Sequence, residues 1–111
     1  MAREQKPVRV FQAIWPSVLL ALVGIPLALE LVAPNPFYGV RTSTTLASME
    51  SWYRSNFYAG VVAVLGGTMA TIANLAIVRS PRLSESRKLL CSLGTTLVAV
   101  AAMAIAGLAA S

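Results

Sequence analysis

Histidine is absent from this 111-residue chain, and cysteine occurs once, at Cys91. These absences exclude a zinc site of His and Cys ligands, a Ser–His or Cys–His nucleophile pair, and a disulfide within the chain. Only 4 residues are acidic. Glu50 has the chemistry of a general base, but no nucleophile or set of metal ligands accompanies it. We therefore expect no enzymatic activity, no cofactor and no metal site.

Charge is also scarce: 12% of the residues are charged, 57% are hydrophobic, and the mean hydropathy is +0.71. Soluble domains have about twice that share of charge, so the composition indicates a membrane protein. Three apolar stretches, at about 10–32, 57–78 and 89–110, are long enough to cross a hydrocarbon core of roughly 30 Å. The sequence predicts an all-α membrane protein, a single transmembrane domain over 1–111 with three transmembrane helices.

The first apolar stretch has one alternative interpretation, a cleaved signal peptide, because Arg3, Lys6 and Arg9 precede it. The stretch is longer than the usual apolar region of about 7–15 residues in such peptides. Residues 31–33 also lack a small-x-small cleavage pattern and are followed directly by Pro34. We expect the segment to be retained as a span.

Orientation follows from the basic residues near the membrane ends. The side that holds the N-terminus and the loop between spans two and three carries most of them: Arg3, Lys6, Arg9, Arg79, Arg82, Arg87 and Lys88. The other side has only Arg41 and Arg54. The N-terminus is therefore expected in the cytoplasm and the C-terminus outside. The basic excess favours contact with anionic membrane lipids, and no segment has the basic and aromatic pattern of a nucleic-acid site.

The outer loop, 33–56, is the longest segment between spans. Prolines, Asn35 and Gly39 predict a turn over 34–39 that ends the first span. A short amphipathic interfacial helix is predicted over 45–56, which either continues straight into the second span or bends near 55–56. Its apolar residues recur at helical spacing: Leu46, Met49 and Trp52.

Arg41 is the most distinctive polar residue of the outer loop. Its planar guanidinium suits a carboxylate, a lipid phosphate or a group of backbone carbonyls. Three interpretations stay open: a structural clasp with Glu30 as ion-pair partner, a ligand site, or an arginine that reaches the headgroups. Trp52, Asn56 and Gly60 share one helical face nearby. Aromatic residues of this region are expected in the interfacial belt or in packing: Phe37, Tyr38, Trp52, Tyr53 and Tyr58.

Small residues at four-residue spacing predict close helix packing, within the chain or in a homo-oligomer. They fall on span two and on span three: Ala59, Ala63, Gly67 and Thr71, then Ala102, Ala106 and Ala110. Asn74 in span two predicts a hydrogen bond to a neighbouring helix, with a site for a permeant ion as the alternative.

The outer segment resembles the signature of the SdpI family, small bacterial integral membrane proteins named after a toxin-immunity protein. The resemblance covers about 26 of the 111 residues. The matching positions are Asn35, Gly39, Arg41, Thr42, Thr45, Leu46, Glu50, Trp52, Asn56 and Gly60. Ser43 stands where the family often has proline, and the namesake is a longer protein with more spans.

The resemblance implies a protein of the bacterial plasma membrane that protects its cell from a membrane-active peptide toxin, or senses one, without catalysis. In this interpretation the outer loop is a platform on which the peptide or a lipid docks. Arg41 is held by local carbonyls or by Glu30, and Trp52 is packed beneath. The alternatives are a small oligomeric transporter or channel with Glu30 and Asn74 on a shared pathway, and a structural subunit of a larger membrane complex.

Overall fold

A computed structural model of the chain describes residues 7–111, which contain four α-helices and no strand. They are α1 (Val10–Ala28), α2 (Ser43–Ala47), α3 (Met49–Val78) and α4 (Glu85–Ala110). The helices α1, α3 and α4 are long and apolar enough to cross a membrane, with mean hydropathies of 1.9, 2.0 and 2.2. The predicted all-α fold with three transmembrane helices and a short helix in the first loop is confirmed.

The molecule is an elongated bundle of 61 × 22 × 20 Å in which α3 lies between α1 and α4. We call one end, formed by 29–56 and the last turns of α4, the motif end. We call the opposite end, formed by 7–12 and 79–88, the basic end. The chain therefore crosses between the two ends three times.

The crossing of α1 and α3 depends on glycine at positions where the two backbones almost touch. A Cβ atom at Gly67 would lie 2.7 Å from both the Ala21 nitrogen and the Ser17 carbonyl oxygen. A Cβ atom at Gly24 would lie 2.7 Å from the Gly60 carbonyl oxygen. Such close approach is the usual role of small residues between membrane helices.

The small-residue stripe predicted on span two lies in helix contacts, and Ala59, Ala63 and Gly67 are buried. Of the stripe predicted on span three, Ala102 is exposed, whereas Ala106 and Ala110 are half-buried. The buried residues of α4 are Ser92, Thr96, Ala99 and Gly107. Within the chain, α4 thus packs through a face that only partly coincides with its alanine stripe.

The helix α1 ends at Ala28, four residues before the end of the first apolar stretch at about 32. A Schellman motif ends the helix: the Leu31 N–H donates to the Pro26 carbonyl at 2.9 Å, and the Glu30 N–H to the Leu27 carbonyl at 3.2 Å. Glu30 takes the left-handed position of that motif, with φ 58°. These local bonds, which hydropathy does not report, set the boundary.

The helices of the other two spans begin before the apolar stretches at about 57 and 89. Ser48 is the N-cap of α3, and its side chain accepts a hydrogen bond from the Ser51 N–H at 3.0 Å. Ser84 caps α4 in the same way, accepting from the Arg87 N–H at 3.3 Å. The predicted interfacial helix is consequently divided at extended Ser48: its start forms α2, and its remainder runs straight into the span as the first turns of α3.

Asn74 joins the three spans near the basic end. Its Nδ2 donates to the Ala13 carbonyl of α1 at 3.0 Å and to the Thr96 hydroxyl of α4 at 3.2 Å. The predicted hydrogen bond to a neighbouring helix is confirmed twice over. Its Oδ1 is buried and has no protein donor among the described residues.

Candidate functional site

The turn that follows α1 is built around the Asn35 side chain. Its Oδ1 accepts hydrogen bonds from the Phe37 and Tyr38 N–H groups at 2.9 and 2.7 Å. Its Nδ2 donates to the Ala33 and Tyr38 carbonyls at 2.8 and 3.0 Å. The amide thus uses both of its ends on the local backbone, as asparagine commonly does in turns. Asn35 shapes this loop and is not presented to a ligand.

The two aromatic residues of this turn have opposite environments. The Tyr38 hydroxyl donates to the Val23 carbonyl in α1, which ties the turn to the first span. Burial raises the pKa of the Tyr38 phenol above its ordinary value of 10.0, so the group stays a neutral donor at physiological pH. Phe37, one residue earlier, is 93% exposed. The turn therefore holds Phe37 at the surface of the motif end.

Trp52 is completely buried beneath the loop and does not face the membrane interface. Its Nε1 donates to the Val32 carbonyl at 2.7 Å, and its ring lies against Gly39. A Cβ atom at Gly39 would lie 3.1 Å from Cη2 of that ring, and φ at this residue is +110°. Both the space and the backbone conformation therefore require glycine at this position.

Asn56 pairs with the backbone of Val40, 16 residues earlier in the chain. Its Oδ1 accepts from the Val40 N–H at 2.5 Å, and its Nδ2 is 3.4 Å from the Val40 carbonyl oxygen. Nδ2 also donates to the Trp52 carbonyl at 2.9 Å. Because the Asn56 side chain is almost completely buried, this pairing fixes Val40 against α3.

Thr42 fixes the loop on the other side of Arg41. Its hydroxyl accepts from the Thr45 N–H at 3.1 Å, and its own N–H donates to the Thr45 hydroxyl at 2.8 Å. This reciprocal pair is a capping box that uses threonine in place of the usual Glu or Gln. Thr45 is fully buried, so the start of α2 is anchored to the bundle.

The contacts beneath the loop join residues that the sequence could not pair, although Gly60 is one of the motif positions. The Ser55 hydroxyl donates to the Gly107 carbonyl of α4. A Cβ atom at Gly107 would lie 2.6 Å from a methyl group of Val40. Gly60 lies against the backbone of Ala28 in α1. No spacing signal joins residues so far apart in sequence, so these contacts emerge only from the folded chain.

Arg41 is the exposed residue in the middle of this framework. Within 7–111 its side chain has neither a hydrogen bond nor an ion pair, although the backbones of Val40 and Thr42 on either side are fixed. The expected pair with Glu30 does not form in this structure. Glu30 is itself exposed and occupies the left-handed position that ends α1.

The ion pairs among the described residues are Glu50–Arg54 at 3.6 Å and Glu85–Lys88 at 3.1 Å. Glu50 is thus an exposed residue in the first turn of α3, and its partner Arg54 also donates to the Ala110 carbonyl at 2.8 Å. In the part of the chain that the structure describes, no three His, Cys, Asp or Glu side chains gather as metal ligands.

The motif residues thus fall into two sets. Those that are covered and build the framework are Asn35, Gly39, Thr42, Thr45, Trp52, Asn56 and Gly60. Those exposed at the motif end are Arg41, Leu46 and Glu50; Phe37, which is not a motif residue, is exposed at the same end. Chemically, this surface offers a free guanidinium for a carboxylate or phosphate and apolar side chains for a hydrophobic partner.

The sequence profile of the SdpI/YfhL protein family matches residues 31–111, which include the complete motif and the second and third spans. This chain belongs to the SdpI/YfhL family. No curated protein and no solved structure matches it at a significant level. The match to SdpI/YfhL begins just after α1, so it covers the part of the chain in which the framework residues of the loop lie. The family resemblance inferred from the motif is therefore confirmed.

Proposed function

We propose that this SdpI/YfhL-family chain is a non-catalytic immunity or sensing protein of the bacterial plasma membrane, and that it recognises a membrane-active peptide toxin at its motif end. The N-terminus lies in the cytoplasm and the motif end faces outward, as the distribution of basic residues favours. The observation that carries the proposal is Arg41: an exposed, unpaired guanidinium, among the described residues, on a backbone fixed at both neighbours.

A fixed backbone favours recognition because the loop loses little conformational entropy when a ligand binds. The five donors of Arg41 can hold a carboxylate in a bidentate geometry. Phe37, four residues earlier in the same loop and 93% exposed, offers an apolar side chain at the same end of the molecule. The surface is therefore suited to a peptide that carries both an acidic group and large apolar side chains.

The first experiment is survival of a sensitive bacterium under membrane-active peptide toxins, with and without this protein. Arg41→Ala should lose protection at unchanged membrane levels, because nothing in the fold depends on that side chain. Arg54→Ala is the matched control, since it removes another arginine of the motif end that is already engaged by Glu50 and Ala110. It should retain most of the protection.

A second variant separates recognition from folding. Asn56→Ala leaves the Val40 N–H buried without an acceptor, which should lower the free energy of unfolding by about 1–3 kcal/mol and reduce the folded protein in the membrane. If Arg41→Ala reduces folded protein to the same degree, Arg41 is structural and the proposed recognition site is wrong. If the wild-type chain protects against no toxin, the immunity role is wrong. Ion flux in vesicles would then test a transporter, and co-purification a structural subunit.

A further inference from the structure

A cavity of about 620 Å³ opens at the basic end of the molecule, far from the motif. It lies between the segment that precedes α1 and the first turns of α4, and its lining is Pro7, Val8, Arg9, Gln12 and Leu89. The Val8 N–H donates to Oε2 of Glu85 at 2.6 Å, and this bond joins the segment before α1 to the first turn of α4. The proposed immunity function makes no use of this cavity.

Among residues 7–111, the carboxylate that is hydrogen-bonded to the cavity lining belongs to Glu85 and is already engaged. Glu85 accepts from the Val8 N–H through Oε2 and from the Lys88 ammonium through Oε1, at 3.1 Å. Its charge is therefore balanced by Lys88, and both of its oxygens have donors. An anion that enters the cavity meets little repulsion from this side.

The polar side chains of the lining present donors. Gln12 uses its Oε1 to accept the Arg9 N–H at 3.0 Å, so the orientation of its amide is fixed and its Nε2 is left to donate. The exposed Arg9 guanidinium has no hydrogen bond or ion pair to any residue in 7–111. An arginine beside a free amide donor is the chemistry that binds phosphate oxygens.

The remaining lining is apolar. The cavity lies at the basic end, where the apolar helices of the bundle give way to polar segments. Next to it on α1 is an apolar surface groove of about 320 Å³, lined by Phe11, Ile14, Trp15, Val18, Leu19 and Leu22. A soluble phosphate would make no favourable contact with these apolar side chains. A lipid, in contrast, can place its headgroup in the cavity and its acyl chains along the helices. Further exposed arginines at this end raise the local positive potential: Arg79, Arg82 and Arg87.

We propose that the cavity at the basic end binds the headgroup of an anionic phospholipid, with the phosphate held by Arg9 and Gln12. The site is a specific one, as opposed to the diffuse attraction that any basic loop has for an anionic membrane surface.

The test is native mass spectrometry of the purified full chain in detergent, with equal additions of phosphatidylglycerol and phosphatidylcholine. Wild type should retain phosphatidylglycerol preferentially. Arg9→Gln should weaken that binding roughly fivefold, which corresponds to the loss of one basic contact with an anionic lipid. Gln12→Leu should also weaken it. Arg82→Gln, which removes an exposed arginine of the same end outside the lining, is the matched control and should retain the binding.

Three results would overturn the proposal. Equal retention of the two lipids would show that the cavity does not select a charged headgroup. An effect of Arg82→Gln as large as that of Arg9→Gln would show diffuse attraction in place of a site. Displacement of phosphatidylglycerol by millimolar inorganic phosphate would show that the ligand is a free phosphate. Because the readout needs no toxin, failure of the immunity role leaves this test intact.

Discussion

At the scale of single residues, the residues that hold the loop in place differ from the residue that is exposed for binding. Val40 and Thr42 have their backbones fixed by Asn56 and Thr45, and Arg41 between them keeps a free side chain. An exposed loop residue held this way has a fixed backbone position, while its side chain keeps its rotamer freedom. Function should therefore respond to changes at Arg41, and stability to changes at the buried residues around it.

Glu30 allows a test of the residue that the sequence offered as a partner for Arg41. Glu30→Gly should raise the free energy of unfolding by about 1 kcal/mol, because φ 58° costs a residue with a side chain but not glycine. The measurement is denaturant unfolding in detergent. Protection from toxin should be unchanged. A drop in stability or in protection would show that the Glu30 carboxylate does have a partner.

The sequence could place Trp52, Asn56 and Gly60 on one face of a helix, because that follows from their spacing. It could not tell what covers this face. The partner of Asn56 is the backbone of Val40, and a backbone group carries no signature in the sequence. For the same reason Arg41 was indistinguishable from a clasp residue until the structure showed its surroundings.

At the scale of the helices, the three spans were predictable because long apolar runs leave few alternatives in a membrane. Their ends were not, since hydrogen bonds at Ser48, Ser84 and Glu30 decide them and each involves only a few atoms. The contact face of α4 was predicted only in part. Ser92 and Thr96 are buried there, whereas Ala106 and Ala110 of the predicted stripe are half-buried and Ala102 is exposed.

Two glycines in the spans provide a matched pair of substitutions. Gly60→Ala should lower the free energy of unfolding by about 1–3 kcal/mol, because its Cβ would collide with α1 backbone that cannot give way. At Gly94 nothing lies within 4 Å of the added atom, so Gly94→Ala should be neutral or stabilise by up to about 1 kcal/mol through helix propensity. Equal effects in thermal unfolding would contradict the close crossing of α1 and α3.

At the scale of the whole molecule, three crossings place the motif and the basic cavity at opposite ends of a 61 Å bundle. Asn74 is bonded to both neighbouring helices, so α1, α3 and α4 are joined near the basic end as well as at the motif. The two proposed binding sites therefore lie at opposite ends of one bundle.

The proposed orientation can be checked with single cysteines, because only Cys91 has to be removed by Cys91→Ser. A membrane-impermeant maleimide should label Ser43→Cys at the motif end in intact cells. Ser80→Cys at the basic end should be labelled only after the cells are permeabilised. The reverse pattern would mean that the motif faces the cytoplasm, and an extracellular toxin could not reach Arg41.

The chain has two tryptophans in very different surroundings: Trp52 is fully buried beneath the loop, and Trp15 is 49% exposed on α1. In a Trp15→Phe background the remaining indole becomes a single intrinsic fluorophore at the centre of the motif. Its emission wavelength and quenching by iodide then report directly on whether the loop opens. Trp52 fluorescence can therefore report events at the proposed recognition surface without an attached dye.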